Sequence, residues 1–230
     1  MERVLIREWL DELPVNDSRA IHSRRDLCRI NAWMGNAGTM ARALRESFQG
    51  GPPQTIADLG AGDGEFLLSV ARRLSARWKN TTLTLVDRQE SFNGSVAKFE
   101  EFGWPARAVV ADVFDWVKNS APESAEGLVA NLFLHHFSEA QLAELFGAAA
   151  RTALAFIAVE PRRSRLPLIC SRLLRLIGCN AVTRHDAVIS VRAGFTGREL
   201  SALWPDRYGW HLVERPAGLF SHLFIARRKC

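Results

Sequence analysis

A glycine-rich stretch between residues 58 and 66 has residue types and spacing that could bind a ligand. It reads DLGAGDGEF, with Gly60, Gly62 and Gly64 at alternate positions and with Asp58 and Asp63 beside them. Glycine lets the backbone turn sharply and approach a ligand closely. The GxGxG spacing differs from the GxGxxG of dinucleotide-binding loops, and the two carboxylates would repel a pyrophosphate. A ligand that carries a positive amino group and a sulfonium centre would instead be attracted there.

Two further acidic residues follow apolar runs later in the chain. Asp87 ends TLVD and Asp112 ends VVAD. A carboxylate at the first position can accept hydrogen bonds from two ribose hydroxyls, and one at the second can accept from an adenine amino group. The alternative is that each Asp only caps the helix after it. Three acids after three successive strands, beginning with the glycine-rich loop, favour a nucleoside-containing ligand.

The stretch NLFLHHF, residues 131 to 137, contains two adjacent histidines, His135 and His136. A neutral imidazole can accept the proton of a hydroxyl group, and a positioned base accelerates a reaction by roughly 10²–10⁴-fold. The helix predicted to begin beside Ser138 disfavours imidazolium, because the amino terminus of a helix is positive. The alternatives are packing of His135 under a ligand and a backbone hydrogen bond from His136. A metal site is not expected, since adjacent residues rarely converge on one ion.

The elements that must position these residues alternate between strands and helices. Five apolar runs predict strands, namely TIADLG, TLTLVD, ARAVVAD, GLVANLF and LAFIAVE, and helical patterns separate most of them. Such alternation predicts an α/β fold with a mainly parallel sheet and helices on both faces. The final stretch, WHLVERPAGLFSHLFIARR, predicts two antiparallel strands joined at RPAG. In this fold, ligands bind at the carboxyl ends of the strands.

The stretch FQGGPPQT, from Phe48 to Thr55, predicts a boundary, because paired Gly and Pro residues end a helix. Residues 1–50 are expected to form a helical amino-terminal extension and residues 51–230 a ligand-binding domain. Trp9, Trp33 and Met34 of the extension could wall an acceptor pocket as a lid, or could be ordinary core.

Taken in order, DLGAGDGEF, LVDRQ, VVADVF and NLFLHHF resemble the class I S-adenosylmethionine-dependent methyltransferases. The resemblance covers roughly residue 55 to the carboxyl terminus. It implies a Rossmann-like, seven-stranded sheet with an antiparallel last strand and S-adenosylmethionine as cofactor. The residues it assigns to cofactor binding are Asp58, Gly60, Gly62, Asp63, Asp87, Asp112 and Asn131.

The segment LHHFSE is similar to the histidine-bearing segment of small-molecule O-methyltransferases. This likeness makes His135 the candidate base, with His136 in the position where the family has Asp. The implied activity is methylation of a hydroxyl on a small aromatic or polyketide-like molecule. C-methylation of an activated ring, RNA methylation and a non-catalytic binding module are the alternatives. Glu160 and the pair His185 and Asp186 are further polar residues that could line the acceptor pocket.

Composition limits the compartment and the partners. The net charge is +5, and the basic residues are spread along the chain, so no nucleic-acid partner is expected. No apolar run is long enough to span a bilayer, so no membrane partner is expected either. The cysteines Cys28, Cys170, Cys179 and Cys230 show no CxxC spacing and are interpreted as reduced thiols of a cytoplasmic protein. The expected partner is a small-molecule acceptor, and a homodimer is left open.

Overall fold

The computed structural model describes residues 1–14, 16–92 and 94–229, so Cys230 lies outside the described part. A single seven-stranded sheet has the order β3-β2-β1-β4-β5-β7-β6. The strands are β1 Thr55–Leu59, β2 Thr82–Asp87, β3 Ala106–Val110, β4 Ala125–Asn131, β5 Ala153–Pro161, β6 Trp210–Ala217 and β7 Ser221–Arg228. The first five are parallel, and β7 is antiparallel to both of its neighbours. The predicted fold class is confirmed.

Helices cover both faces of this sheet. They are α1 Trp9–Glu12, α2 Ser18–Met34, α3 Asn36–Ser47, α4 Glu65–Leu74, α5 Ser95–Glu100, α6 Val113–Asn119, α7 Glu139–Thr152, α8 Arg165–Arg172, α9 Ala181–Ala193 and α10 Glu199–Leu203. Short 3₁₀ turns occupy Leu134–His136 and Leu174–Ile177. Among the described residues, no helix combines the length and the apolar character needed to cross a membrane.

Side chains alternate along the central strands and so divide the core into two layers. On one face, Val129 and Ile157 pack with α3 and α4. On the other face, Leu128 and Phe156 pack with α7 and α10, and Phe146 of α7 lies 5.2 Å from Trp204, centroid to centroid. Burial on both faces explains why these strands are apolar runs.

The structure corrects the predicted position of the last turn. Pro216 lies within β6, and the chain reverses at residues 218–220, where Gly218 has φ +72°. Proline lacks a backbone N–H, but β6 is an edge strand, where that loss is tolerated.

The amino-terminal helices are not all alike. Met40 and Leu44 of α3 are fully buried against the sheet and belong to its core. Helix α2 begins at the Asp17 cap, whose side chain accepts from the Arg19 N–H, and it leads to Trp33, which is 78% exposed. The division at residue 50 stays a prediction. The order of the strands reverses between β1 and β4, so the carboxyl ends of these strands open a crevice there.

Candidate functional site

A cavity of about 810 Å³ occupies this crevice. Its walls come from the carboxyl ends of β1, β2 and β4, from the first twelve residues, from α2, and from the segment containing α8 and α9. Its lining includes Asp58, Gly60, Gly62, Asp63, Asp87, Asp112, Asn131, His135 and His136. The structure therefore brings all nine sequence-predicted site residues to one cavity.

The glycine-rich loop needs its glycines for two different reasons. Gly60 has φ +72°, and a Cβ there would lie 2.1 Å from the ring of Phe133. Gly62 has φ +57°, and a Cβ there would meet nothing within 4 Å. Gly60 thus permits close packing inside the protein, whereas Gly62 gives the loop its left-handed turn beside open space.

Asp87, at the end of β2, fixes this loop through both carboxylate oxygens. Oδ2 accepts from the Gly62 N–H at 2.8 Å, and Oδ1 accepts from the Gln89 N–H at 2.8 Å. Each carboxylate oxygen can accept a second hydrogen bond. Asp87 can therefore hold the loop and still accept from hydroxyl groups in the cavity.

Asp58 and Asp63 form the acidic wall of the cavity. Asp58 lies inside β1 and is only 2% exposed, so burial, together with the charge of Asp87, holds the pKa of its carboxyl well above its usual range. Burial also raises the pKa of Asp63, whose Oδ1 accepts from the Glu65 N–H at 3.1 Å. A positive group in the cavity would offset the cost of ionising these two carboxyls.

Asp112 lies beyond its strand, because β3 ends at Val110. Its side chain accepts from the Phe114 N–H at 2.8 Å and caps α6. Asp112 therefore does cap a helix, as the alternative considered from the sequence expected. Because Asp112 also borders the cavity, capping does not exclude a contact with a ligand.

Asn131, at the end of β4, connects the cavity to the start of α3. Its Oδ1 accepts from Nδ2 of Asn36 at 3.1 Å, and Ser221 donates to Oδ1 of Asn36 at 2.6 Å. Asn36 is fully buried. The contact fixes the cavity floor and leaves Asn131 partly exposed to the cavity.

His135 is held between two carboxylates. Its Nδ1 is 2.8 Å from Oε2 of Glu160, and its Nε2 is 3.2 Å from Oε1 of Glu8. The ring is 3% exposed. Burial disfavours imidazolium, but the hydrogen bonds and charges of Glu160 and Glu8 outweigh it and raise the pKa of His135 to about 9. The expectation of a neutral His135 is therefore wrong, since those two carboxylates dominate the local field.

Glu160 also determines the shape of the turn that carries both histidines. One of its oxygens accepts from the N–H groups of Phe133 and Leu134 at 3.0 and 2.9 Å, and the other accepts from that of His135 at 3.3 Å. The carboxylate thus satisfies the amino end of the 3₁₀ turn that follows β4. Leu132, just before it, has φ +51°, a conformation that is uncommon outside glycine and often found at functional sites.

His136 has a different environment from its neighbour. Its side chain is 23% exposed, it borders the cavity, and its Nδ1 lies 3.4 Å from Oδ2 of Asp11. Burial and the positive charge of His135, whose ring centroid is 4.3 Å away, lower the pKa of His136 below its ordinary value. At neutral pH the uncharged imidazole at the cavity is thus His136.

Glu8, His135 and His136 have ligand atoms that all lie within 4.8 Å of one another. The adjacent histidines thus belong to a group of possible metal ligands that the sequence did not indicate, because Glu8 joins them from a distant part of the chain. Both ring nitrogens of His135 already contact carboxylates, however. Those two contacts account for the cluster without an ion.

The pair His185 and Asp186, considered from the sequence as a second acid and base, lies in α9 and anchors the amino terminus. Asp186 accepts from the N–H groups of Trp9 and Leu10, both at 2.9 Å. The rings of Trp9 and His185 stack with centroids 3.7 Å apart. Asp186 therefore caps α1, and its Oδ1 also lies 2.9 Å from Nδ1 of His185. Neither residue is among the described residues that line the cavity, which corrects the hypothesis that the pair borders the acceptor pocket.

Residues 3–12, here named the strap, are held by further contacts. The Arg3 side chain donates to the carbonyl oxygens of Ala193 and Phe137, both at 2.8 Å. The Val4 N–H donates to the carbonyl oxygen of Arg192 at 3.2 Å. Glu8 accepts a hydrogen bond from Ser190 and contacts His135. Sequence reasoning did not identify Glu8, because an acidic residue in a charge-rich amino terminus gives no signal of a partner 127 residues away.

Asp186→Ala is expected to release the strap, since the two N–H groups at the start of α1 lose their acceptor. Hydrogen exchange of residues 3–12 should accelerate by roughly tenfold, as the loss of about 1–2 kcal/mol of local stability implies. The exposed Asp206→Ala is the control. Unchanged protection of residues 3–12 in Asp186→Ala would show that the other contacts alone hold the strap.

Comparison with protein-family models and with curated sequences gives no match. Comparison with solved structures gives many. The plantazolicin methyltransferase BamL, crystallised with a desmethylPZN analogue and SAH, is 11% identical, with a TM-score of 0.67, over 96% of this chain and 93% of its own. The mitomycin 7-O-methyltransferase MmcR is 18% identical, with a TM-score of 0.61, over 95% of this chain and 60% of its own.

An O-methyltransferase family protein from Burkholderia thailandensis is also similar, with 18% identity and a TM-score of 0.59, over 93% of this chain and 60% of its own. This chain thus spans about 60% of the length of that protein and of MmcR. The likenesses confirm the predicted class I methyltransferase fold. The glycine-rich loop and its acids lie at the crevice of that fold, where α/β sheets bind ligands.

Proposed function

We propose that the chain is an S-adenosylmethionine-dependent methyltransferase that acts on a hydroxyl group of a small aromatic or polyketide-like molecule. One observation carries the proposal: a neutral histidine, His136, borders the same cavity as the acid-flanked glycine loop. A cofactor loop alone would fit any chemistry of this fold. The added base favours an acceptor that must lose a proton.

The cavity suits the cofactor by charge. Asp58 is buried and Asp63 is partly buried, and both carboxyls have raised pKa values, so a ligand with an ammonium and a sulfonium would favour their ionised form. Asp87 would accept from the ribose hydroxyls beside the Gly62 turn, and Asp112 from the adenine amino group. The rest of the cofactor pocket would be shaped by Gly60, Gly62 and Asn131. When bound, S-adenosylmethionine supplies an electrophilic methyl group.

The two histidines would then have separate tasks. Glu160 and Glu8 keep His135 protonated. Burial and the positive charge of His135 together keep His136 unprotonated. His136 would accept the hydroxyl proton through Nε2, because a proton on Nδ1 would be directed to Asp11. A phenol has a pKa near ~10 and is mostly protonated at neutral pH, so its oxygen becomes a good nucleophile only when that proton leaves. This proposal transfers the role of base from His135 to His136.

The strap and α2 would close the acceptor side of the cavity. Leu5, Leu10 and Met34 line it and supply apolar surface for a ring. This arrangement supports the predicted lid function of the amino-terminal extension. It also supports a small-molecule acceptor over nucleic acid, since a nucleotide in a long strand would have to pass beneath a strap held on both sides.

We also propose a cytoplasmic location. Cys28, Cys170 and Cys179 are free thiols among the described residues, as expected in a reducing compartment. Partial burial of the thiol, together with the charges of Asp63 and Glu65, raises the pKa of the exposed Cys28 to about 11, so little thiolate is present at neutral pH.

Methyl transfer is expected to proceed without a metal, because both ring nitrogens of His135 are already engaged by Glu160 and Glu8. Turnover of a phenol should be equal before and after dialysis against EDTA, and elemental analysis of the purified protein should show no stoichiometric zinc or manganese. A stoichiometric ion whose removal abolishes turnover would make the cluster a metal centre.

A further inference from the structure

A surface formed by α8 and the 3₁₀ turn after it, here named the α8 surface, exposes large apolar side chains. They are Leu166, Ile169, Leu173, Leu176 and Ile177, and their exposed fractions lie between 46% and 80%. Scattered exposed apolar residues are ordinary, but five within twelve consecutive positions form a patch that marks an interaction site.

The charge of the same segment is strongly one-sided. Between Glu160 and Asp186 the sequence contains six arginines and no acidic residue. Arg165, Arg172 and Arg175 are exposed on α8 or its 3₁₀ turn, and the salt bridges among the described residues include none of the three. Exposed aliphatic side chains interspersed with arginine are typical of helices that lie in the headgroup region of an anionic bilayer.

The opposite side of this segment borders the cavity. Pro167, Cys170 and Leu174 line it, and the exposed residues Ile6 and Trp33 line it from the strap and from α2. The segment is therefore the wall between the cavity and the α8 surface. Whatever covers that surface lies next to an apolar part of the cavity rim.

We propose that the α8 surface docks on an anionic lipid bilayer, with its aliphatic side chains in the interface and Arg165, Arg172 and Arg175 on the lipid phosphates. If the proposed function is correct, which this step assumes, the acceptor is a hydroxyl compound with an apolar tail that reaches the cavity from the bilayer. This proposal revises the sequence expectation of no membrane partner, which was based on the lack of a spanning segment, and docking requires no such segment.

Charge favours lipid over the other occupants. In a symmetric dimer the same patch would face itself, so arginines of the two copies would approach one another. RNA would be attracted by the arginines, but the α8 surface offers five aliphatic side chains and no aromatic ring on which a base could stack. A bilayer of phosphatidylglycerol offers an apolar region to the aliphatic side chains and phosphate groups to the arginines.

Cosedimentation with vesicles tests the proposal and requires neither cofactor nor turnover. The full chain should bind vesicles of mixed phosphatidylglycerol and phosphatidylcholine at least about tenfold more strongly than vesicles of phosphatidylcholine alone. The double variant Ile169→Glu with Leu176→Glu should lose binding to both, because the apolar insertion is removed. The variant Arg172→Glu with Arg175→Glu should lose the preference for the anionic vesicles.

Tyr208→Glu and Arg45→Glu change exposed residues outside the α8 surface and should bind as the unaltered chain does. Each variant is first shown to retain the circular dichroism and melting temperature of the unaltered chain. Equal binding of the Ile169 and Leu176 double variant would overturn the proposal. The proposal would also be overturned if this double variant had a lower mass than the unaltered chain in sedimentation equilibrium but still bound vesicles, which would assign the surface to a second copy. RNA binding by the unaltered chain that withstands high salt would likewise overturn it.

Failure here is separable from failure of the proposed function. If the chain methylates a soluble phenol but does not bind vesicles, only the docking proposal is refuted. A chain that binds anionic vesicles but transfers no methyl group would refute the activity alone.

Discussion

His136→Ala is expected to lower turnover of a phenolic acceptor by roughly 10²–10⁴-fold, since the proton of the hydroxyl loses its acceptor. Cofactor affinity should change little, because Asp58, Asp63 and Asp87 are unaltered. The loss should shrink as the pH rises toward the pKa of the acceptor, near ~10 for a phenol, where more acceptor is already ionised. Rates measured across pH with acceptors of low and high pKa provide the test.

Two controls make this experiment specific. His211→Ala removes an exposed histidine at the far end of the sheet and should be fully active. Acceptors that are already ionised should not distinguish His136→Ala from the unaltered chain. An equal loss at every pH and with every acceptor would assign His136 a positioning role, and a fully active His136→Ala would return the role of base to another group.

Glu160→Ala is expected to lower the free energy of unfolding by about 3–5 kcal/mol, because it breaks a buried ion pair and strips three backbone N–H groups of their acceptor. Glu160 is fully buried, and each of those N–H groups contacts its carboxylate. Urea denaturation measures the change. Glu144→Ala, on the exposed side of α7, is the matched control and should be within about 0.5 kcal/mol of the unaltered chain.

The same ion pairs give stability a defined pH dependence. The pKa of His135 is raised from 6.5 to about 9, so its contribution is complete below pH 6.5 and is lost as the pH rises through 9. The pKa of Glu8 is lowered from 4.5 to about 2 despite burial, because of His135, so its contribution is complete above pH 4.5 and is lost as the pH falls through 2. The contribution of this network should be greatest between pH 4.5 and 6.5. A Glu160→Ala chain whose stability falls as steeply above pH 6.5 as that of the unaltered chain would refute this origin.

Local patterns predicted the fold, and they also predicted that the glycine-rich loop and the strand-end acids meet at one cavity. Apolar strands, the glycine-rich loop and Asp87 all lie where the sequence indicated, since each depends on short-range pattern and on the rule that parallel strands end at one edge. The prediction for Asp112 was correct in placing it at the cavity but wrong in placing it at the end of a strand. Its strand ends two residues earlier, and one hydrogen bond to Phe114 makes it a helix cap.

The roles of the two histidines could not be predicted, because they depend on groups distant in sequence. Glu160 and Glu8 determine the charge of His135, and they come from β5 and from the strap. The helix that begins after Ser138 suggested a neutral His135, because the amino terminus of a helix is positive. Two carboxylates in contact with the ring change its pKa more than a helix terminus does. The strap itself depends on Asp186, whose two backbone partners lie more than 170 residues earlier.

Calorimetric titration of the chain with S-adenosylmethionine tests the central claim most directly. The chain should bind it, and Asp87→Ala should weaken binding by about 1–3 kcal/mol, or roughly 5–150-fold, since the ribose hydroxyls lose a charged acceptor and the Gly62 turn loses its anchor. Asp115→Ala, an exposed acid on α6, should bind as the unaltered chain does. A chain that binds no S-adenosylmethionine, or an Asp87→Ala variant with unchanged affinity, would contradict the proposed cofactor site.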